Sequence, residues 1–346
     1  MELQNHLVMT IELPPGYQAL PMSLEYAEET VALLNEITEE FSGSPKLSLD
    51  GMIGEWQFPE VDLDSHTRIV RSPQGKIIAY GELWDIFKPY VHKNVYVRVH
   101  RDHRGLGIGS WLLEFAESQA VVRVDLAPMG KKVTMKASTF GNDHAATDLL
   151  ISHGFTRARV YYTMKIRLDK PPQIPRIPDG IVIRPIEREV EEEAFFRAAQ
   201  EAFRDHYGFV EEPFEDYYRR WQRILASDHE CNDPVLWLAA MDGNEIAGIC
   251  YNRLQIPHST ELGWVSMLGV RRPWRRKGIA EALLLQSFHR FYERGYQWVG
   301  LGVDAASLTG ATRLYEKVGM KVVNETFQFW KVLREGEEIG SEHLDG

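Results

Sequence analysis

The stretch VSMLGVRRPWRRKGIAEALLLQSFHRFYERG, Val265 to Gly295, joins an apolar strand-like run to an apolar helix through a turn of small and basic residues. The turn reads Arg275-Arg276-Lys277-Gly278-Ile279-Ala280; the helix after it carries Leu283-Leu284, Phe288 and Phe291 and stops cleanly at Gly295. The same order stands 171 residues upstream: Val95 to Val99, then Arg104-Gly105-Leu106-Gly107-Ile108-Gly109, then Leu112-Leu113. A turn that opens a helix presents converging N–H groups and the positive end of the helix dipole. Glycine at the closest approach removes the Cβ that would hold backbone away from a ligand. Each copy therefore reads as a cradle for a phosphate diester or pyrophosphate, to which Arg104 and Arg275 can add a charged fork.

The repeat also sets the organisation. A chain of 346 residues suits two domains of ~150 to 170 residues. The segment KPPQIPRIPDG, Lys170 to Gly180, holds four prolines and reads as a stiff extended connector. The expected division is a first domain over 1–169, a linker over 170–180, a second domain over 181–333 and a mobile tail over 334–346.

Working outward, the first half opens with an expected strand at Met9–Leu13. A helix follows from about Ser23, with Leu24, Ala27, Val31, Leu34 and Ile37 on one face, and then strands at 67–71 and 76–84 about the turn Ser72-Pro73-Gln74-Gly75. The second half repeats this with a strand at 181–186, a helical region over 187–207, and strands at 235–241 and 245–254 joined by Asp242-Gly243-Asn244. After the cradle, Gly154-Phe155 corresponds to Gly319-Met320 at an offset of 165. The first half therefore holds six extra residues, assigned to the loop Pro128-Met129-Gly130.

Composition narrows the function. With 44% hydrophobic and 26% charged residues the chain is an ordinary globular protein, and no apolar run approaches the ~18 residues of a membrane span. The first ten residues lack the pattern of a secretory signal, and Cys231 and Cys250 suit thiols in a reducing compartment, so a cytoplasmic protein is expected. A net charge of −11 argues against nucleic acid or an anionic membrane as partner. It suits a cationic substrate, although an acidic surface also simply keeps a protein soluble. No metal is expected.

The pattern Arg-x-x-Gly-x-Gly/Ala between an apolar strand and an amphipathic helix, followed by a small-residue segment and Leu-Tyr-x-x-x-Gly, resembles the GNAT superfamily of acetyl-CoA-dependent N-acetyltransferases. In the second half it reads Val270 to Ala280 and then Ser307 to Met320; in the first, Arg104 to Gly109, Asn142 to Ala146, and Leu149 to Phe155. The likeness covers nearly the whole chain. It implies an α/β (α+β) fold of two tandem domains, each a mixed, mostly antiparallel sheet flanked by helices. A dinucleotide-binding fold would place its glycine turn after the first strand, whereas here the turn follows the fourth strand of each half.

The resemblance implies direct attack of an amine on the thioester of acetyl-CoA, a cosubstrate held at both cradles. Backbone at Leu268, Gly269 and Val270, with Val99 in the first half, would hold the pantetheine arm and polarise the acetyl carbonyl. Arg275, Arg276, Lys277, Gly278, Ile279 and Ala280 would bind the pyrophosphate, as would Arg104, Gly105, Leu106, Gly107, Ile108 and Gly109. Ser307 stands where the family often has asparagine, which the first half keeps as Asn142. Tyr315 occupies the position of the tyrosine that protonates the leaving thiolate. Its counterpart Leu150 cannot donate, so the first half is expected not to catalyse.

The place of a glutamate base holds Trp264 in the second half and Lys93 in the first. Glu261 is the preferred substitute, with His206 the runner-up and His258 also near. The acidic cluster Glu187 to Glu193 reads as a solvated helix face, and Phe214, Tyr217, Tyr218 and Trp221 as core. The leading expectation is a small-molecule N-acetyltransferase acting on a primary amine in its second domain. A regulatory acyl-CoA sensor and a protein or peptide N-acetyltransferase are the alternatives. A monomer and a homodimer both stand open.

Overall fold

The structure is a computed structural model that describes residues 11–43, 47–227, 231–254, 260–307 and 310–340. In chain order the first half contributes β1 (Gln18–Leu20), α1 (Ala27–Ser42), α2 (Leu49–Trp56), α3 (Leu63–His66), β2 (Thr67–Arg71), β3 (Ile77–Trp84), β4 (His92–Val99), α4 (Ile108–Val122), β5 (Val133–Phe140), α5 (His144–Ser152) and β6 (Thr156–Arg167). The second half contributes β7 (Ile181–Pro185), α6 (Arg188–Ala202), α7 (Phe214–Ser227), β8 (Trp237–Asp242), β9 (Glu245–Leu254), β10 (Leu262–Val270), α8 (Ile279–Glu293), β11 (Trp298–Asp304), α9 (Ala311–Lys317) and β12 (Lys321–Arg334).

These elements build two compact units, Met1–Arg159 with Thr326–Ile339, and Val160–Glu325 with Gly340–Gly346. The sheet of the first unit runs β1-β2-β3-β4-β5-β12, and that of the second β6-β11-β10-β9-β8-β7. All pairings within each unit are antiparallel except β4 with β5 and β10 with β11. The proline-rich segment lies between β6 and β7. The compact units are not cut there: most of β6 pairs with β11, and most of β12 returns to pair with β5.

Periodicity explains the packing. On α1, Ala27, Val31, Leu34 and Ile37 are buried against Ile69 and Tyr80 of the sheet, whereas Leu24 stays 41% exposed in the short turn before the helix. Ser48 caps α2 by accepting from Gly51 N at 3.0 Å, and Asp143 caps α5 by accepting from Ala146 N at 2.9 Å. In the second unit α8 buries Leu283, Leu284, Phe288 and Phe291 on one face of the sheet, together with Val299 and Leu301. On the other face α6 and α7 bury Phe195, Phe196 and Tyr217 against Trp237 and Tyr251, and Phe214, Tyr218 and Trp221 pack against that cluster.

Two further expectations need correction. Met9 and Thr10 lie outside the described residues and 11–13 form no strand; the first strand is Gln18–Leu20, paired with Arg71–Ile69. Alternation alone suggested the earlier segment, but the strand forms where the chain can reach the free side of β2. The tail is not loose along its length. Arg334 donates to the carbonyls of Lys131, Ala127 and Pro128, and Glu337 exchanges backbone hydrogen bonds with Gly130 and Lys132; residues 341–346 lie outside the described residues. The connection from α4 to β5 exceeds that from α8 to β11 by six residues, and Met129 at its tip is 94% exposed. No helix among the described residues is long and apolar enough to cross a membrane.

Candidate active site

In the second unit β10 runs parallel to β11 only from Leu262 to Val265, opposite Trp298 to Leu301. Beyond that point the two strands part. On its other side β10 slips register against β9 between Val265 and Met267, so Ser266 is an extra, bulged residue. β4 has no such bulge and pairs continuously with β3 to Val99. The gap between β10 and β11 opens a cavity of about 210 Å³. Its walls include Ser266, Met267 and Leu268 of β10, Gly302 and Asp304 of β11, Tyr161 of β6, His206 and Tyr207 after α6, and Ser307 and Tyr315.

At the far end of β10 the chain turns through 272–274 into the cradle. Gly278 takes a left-handed φ of 86°, and α8 begins at Ile279 with no side-chain cap, so its first N–H groups have no intrahelical acceptor. The two arginines act differently from the expected fork. Arg275 donates from Nε to Val270 O at 3.0 Å, from Nη2 to Ala202 O at 3.1 Å and from Nη1 to the Asp205 carboxylate. Arg104 repeats the device, with Nε on Val99 O at 3.0 Å and both Nη atoms on Glu40 at 2.8 Å. Each guanidinium fixes the turn to its strand and to a neighbouring helix or its exit. The backbone, with Arg276 and Lys277, is left to face an anion. Arg272 and Arg275 hold the buried Asp205 carboxyl down at about 2 against the opposing effect of burial.

Tyr315 projects from α9 and is 8% exposed. Burial, with Cys250 nearby, pushes its phenol well up, so it stays protonated at neutral pH. The Cys250 thiol is itself pushed up to about 12 by burial and is inert core. His206 is pulled down by burial and by Arg275, opposed by Asp205 and Asp304, and so stays a neutral imidazole. Phe203 lies against it, ring centroids 4.3 Å apart. Glu261 stands exposed just before β10 and does not line the cavity, while its carbonyl accepts from Trp298 N at 3.1 Å. His258 lies outside the described residues.

The first unit has its own cavity, about 570 Å³, lined by Val97, Val99, Arg104, Gly105, Gly107 and Gly109, and by α5. Asn142 turns away to donate to Phe41 O at 3.4 Å. Leu150, opposite Tyr315 in the repeat, is buried core. Lys93 is fully buried and donates to Asp85 at 2.8 Å and to Arg123 O at 3.0 Å, with His66 on the second oxygen of Asp85. The residue at the family's base position is here part of a sealed ionic cluster.

Sequence reading missed Tyr161, Gly302 and Asp304, which β6 and β11 bring to the cavity, and it missed that Glu40 and Asp205 hold the arginines. No local motif marks them. The alternation of β11 alone offered a signal, since Gly300, Gly302 and Asp304 fall on one face.

A model described as "Acetyltransferase (GNAT) family" matches residues 193–320, and one described as "Acetyltransferase (GNAT) domain" matches 64–157. A mycothiol acetyltransferase of Thermobispora bispora is 32% identical over 224 residues, covering 64% of this chain and 70% of that protein. One of Salinispora arenicola is 26% identical over 258 residues, covering 74% and 78%. The crystal structure of a GCN5-related N-acetyltransferase from Sphaerobacter thermophilus superposes with a TM-score of 0.78 at 33% identity, over 96% of this chain and all of that one. A tandem GNAT protein from the clavulanic acid biosynthesis pathway shares the fold at 15% identity, with a TM-score of 0.70 over 93% of this chain. With strand, turn and helix repeated and each half matched on its own, the chain belongs to the GNAT family of acetyltransferases, enzymes that take the acetyl group from acetyl-CoA.

Proposed function

We propose that the chain transfers acetyl from acetyl-CoA to a primary amine of a small molecule, and that the second unit carries the reaction. One observation bears most of the weight: Tyr315 and His206 line a single cavity where β10 parts from β11. The residues fit the cosubstrate, because an uncapped helix start and left-handed backbone at Arg276 and Gly278 adjoin that gap. Bound there, acetyl-CoA supplies a thioester carbonyl and a thiolate leaving group. Backbone of Leu268 to Val270, on the β10 edge beyond the pairing with β11, orients the pantetheine arm. The neutral imidazole of His206 accepts the proton that the amine must lose, a role for which Glu261 stands outside the cavity. Tyr315 Oη donates its proton to the departing sulfur. Relatives named mycothiol acetyltransferase support a small molecule over a protein as acceptor.

The cavity beside Gly105 and Gly107 supports a second cosubstrate site in the first unit, without turnover because Leu150 has no proton to give. Thiol release from acetyl-CoA should be followed against a panel of small amines, with calorimetric titration of the cosubstrate. Tyr315→Phe is expected to lower kcat by ~10²-fold or more with little change in cosubstrate affinity, while wild type takes up two equivalents per chain. No turnover with any amine, or a fully active Tyr315→Phe, overturns the reading of the second unit; one equivalent per chain overturns the second site.

A further inference from the structure

Arg98 of β4 stands where β10 has Gly269, 171 residues on. A Cβ on Gly269 would come within 2.9 Å of Ala202 Cβ and 3.0 Å of the Phe203 ring, so the exit of α6 fills that place in the second unit. In the first unit a cation occupies it. β4 runs parallel to β5 only from His92 to Val95, opposite Thr134 to Ala137, and the Arg98 guanidinium lies across the gap that opens beyond. Its Cζ is 4.0 Å from the centroid of the Tyr96 ring, on β4, and 5.6 Å from that of Phe140, the last residue of β5. Arg98 is thereby part of the wall of the 570 Å³ cavity.

The guanidinium is only half engaged. Nη1 donates to Val97 O at 2.9 Å, whereas Nε is enclosed without an acceptor, and among the described residues Arg98 forms no ion pair. Glu82, on the same face of the sheet, accepts from Tyr80 Oη at 2.5 Å; burial pushes its carboxyl up, opposed by Tyr80 and Arg98. The other charged groups around the cavity are bound or face outward: Arg104 is held by Glu40, Asp143 caps α5, and Asp148 is exposed. Enclosed donors are normally matched, so the open Nε–Nη2 edge marks a place for an anion, and its two parallel N–H groups have the spacing of a carboxylate. The cradle shows the complementary change. Arg276 and Lys277 of the second unit correspond to Gly105 and Leu106 in the first, so positive charge has shifted from the phosphate turn to the gap between the strands.

We propose that the first unit selects a coenzyme A thioester whose short acyl group ends in a free carboxylate, the monothioester of a dicarboxylic acid, and that Arg98 is the residue that pairs with that carboxylate. This rests on the proposed cosubstrate site of the first unit. Acetyl-CoA fits the same cradle and leaves Arg98 unmatched. The test is binding rather than turnover, on the full-length chain with the second cradle silenced by Arg276→Glu and Lys277→Glu, both exposed positions. The probes are two thioethers of coenzyme A that cannot transfer an acyl group, S-(3-carboxypropyl) and its isosteric amide S-(3-carbamoylpropyl). They differ in charge and not in shape, so calorimetric titration of the pair reads the carboxylate alone.

The expected result is one equivalent bound per chain, with the carboxylate tighter than the amide by about tenfold or more. Adding Arg98→Met should abolish that preference while the amide binds within about threefold of its former affinity; Arg98→Lys, which keeps the charge and loses the fork, should keep only part of it. Equal affinity for the two probes with Arg98 in place overturns the carboxylate class without recourse to any change at that position. A preference that survives Arg98→Met, or is undiminished in Arg98→Lys, overturns the role of Arg98. Binding of neither probe overturns the first-unit cosubstrate site and the proposal with it, whereas binding without preference leaves the site standing and removes the proposal alone.

Discussion

Arg276 holds a left-handed backbone, φ 62°, at the position where the first unit has Gly105 with φ 77°. For an L-residue with a Cβ that conformation costs about 1 kcal/mol, and such strain persists where a side chain is needed. On the proposed function the need is a cation at the mouth of the cradle, because Arg275 is already bound to Asp205 and to two carbonyls. Arg276→Gly should therefore raise stability by about 1 kcal/mol in urea unfolding and weaken cosubstrate binding about tenfold. Loss of both, or of neither, would detach the strain from the binding role. The glycines and the basic run were legible in the sequence because an anion cradle is local. The engagement of each arginine by an acid was not legible: Glu40 stands 64 residues before Arg104 and Asp205 stands 70 before Arg275, so the acids keep no common offset.

At the scale of the strand, β4 and β10 occupy the same place and differ in what they bury. β10 carries a bulge that frees its backbone toward the cavity, whereas β4 runs straight. At its start β4 carries the half-buried His92, whose imidazole is pulled down to about 4 by burial and then by Lys136, opposed by Glu338 and Val91. A histidine lowered from 6.5 binds its proton more tightly in the unfolded chain, so its contribution is complete above pH 6.5 and declines as pH falls toward 4. About 2 kcal/mol of stability should be gone by pH 5 from this group alone, and about 3 kcal/mol by pH 4. Urea unfolding at pH 7 and pH 5 checks this: His92→Phe should lose less on acidification than wild type, and an equal loss removes His92 from the account. The helices were the easier elements to read, since a stripe such as Ala27, Val31, Leu34 and Ile37 is complete within one segment. β1 was misplaced because its three residues are specified by the side of β2 they join.

At the scale of the molecule, the repeat announced two units but not which strand completes each. Nothing in the composition of 156–167 or 321–334 says whether a strand serves its own half. The choice is made by burial: Met164 of β6 is fully buried with Val299 and Leu301, and Phe329 of β12 with Leu113 and Met135. A polypeptide ending at residue 180 would lack Phe329 and all of β12, leaving β5 paired on its β4 side alone. Expressed alone, 1–180 and 181–346 should each be insoluble or unfold without a cooperative transition, and together they should give a soluble complex. A monomeric 1–180 fragment with a sharp melt would refute this. The cavity was half legible for the same reason. Tyr315 and the cradle belong to a contiguous motif, whereas Tyr161 and Gly302 meet only after β6 has crossed to β11.

The return of β12 to β5 also sets a clock. Phe140 pairs with Thr326, which leaves the ribosome 186 residues later. At about 5 to 20 residues per second that is on the order of ten to forty seconds during which β5 has an unpaired edge and Leu113 and Met135 lack their lid. The part of the protein synthesised first is completed last, and the length of its exposure to wrong partners is governed by the speed of translation.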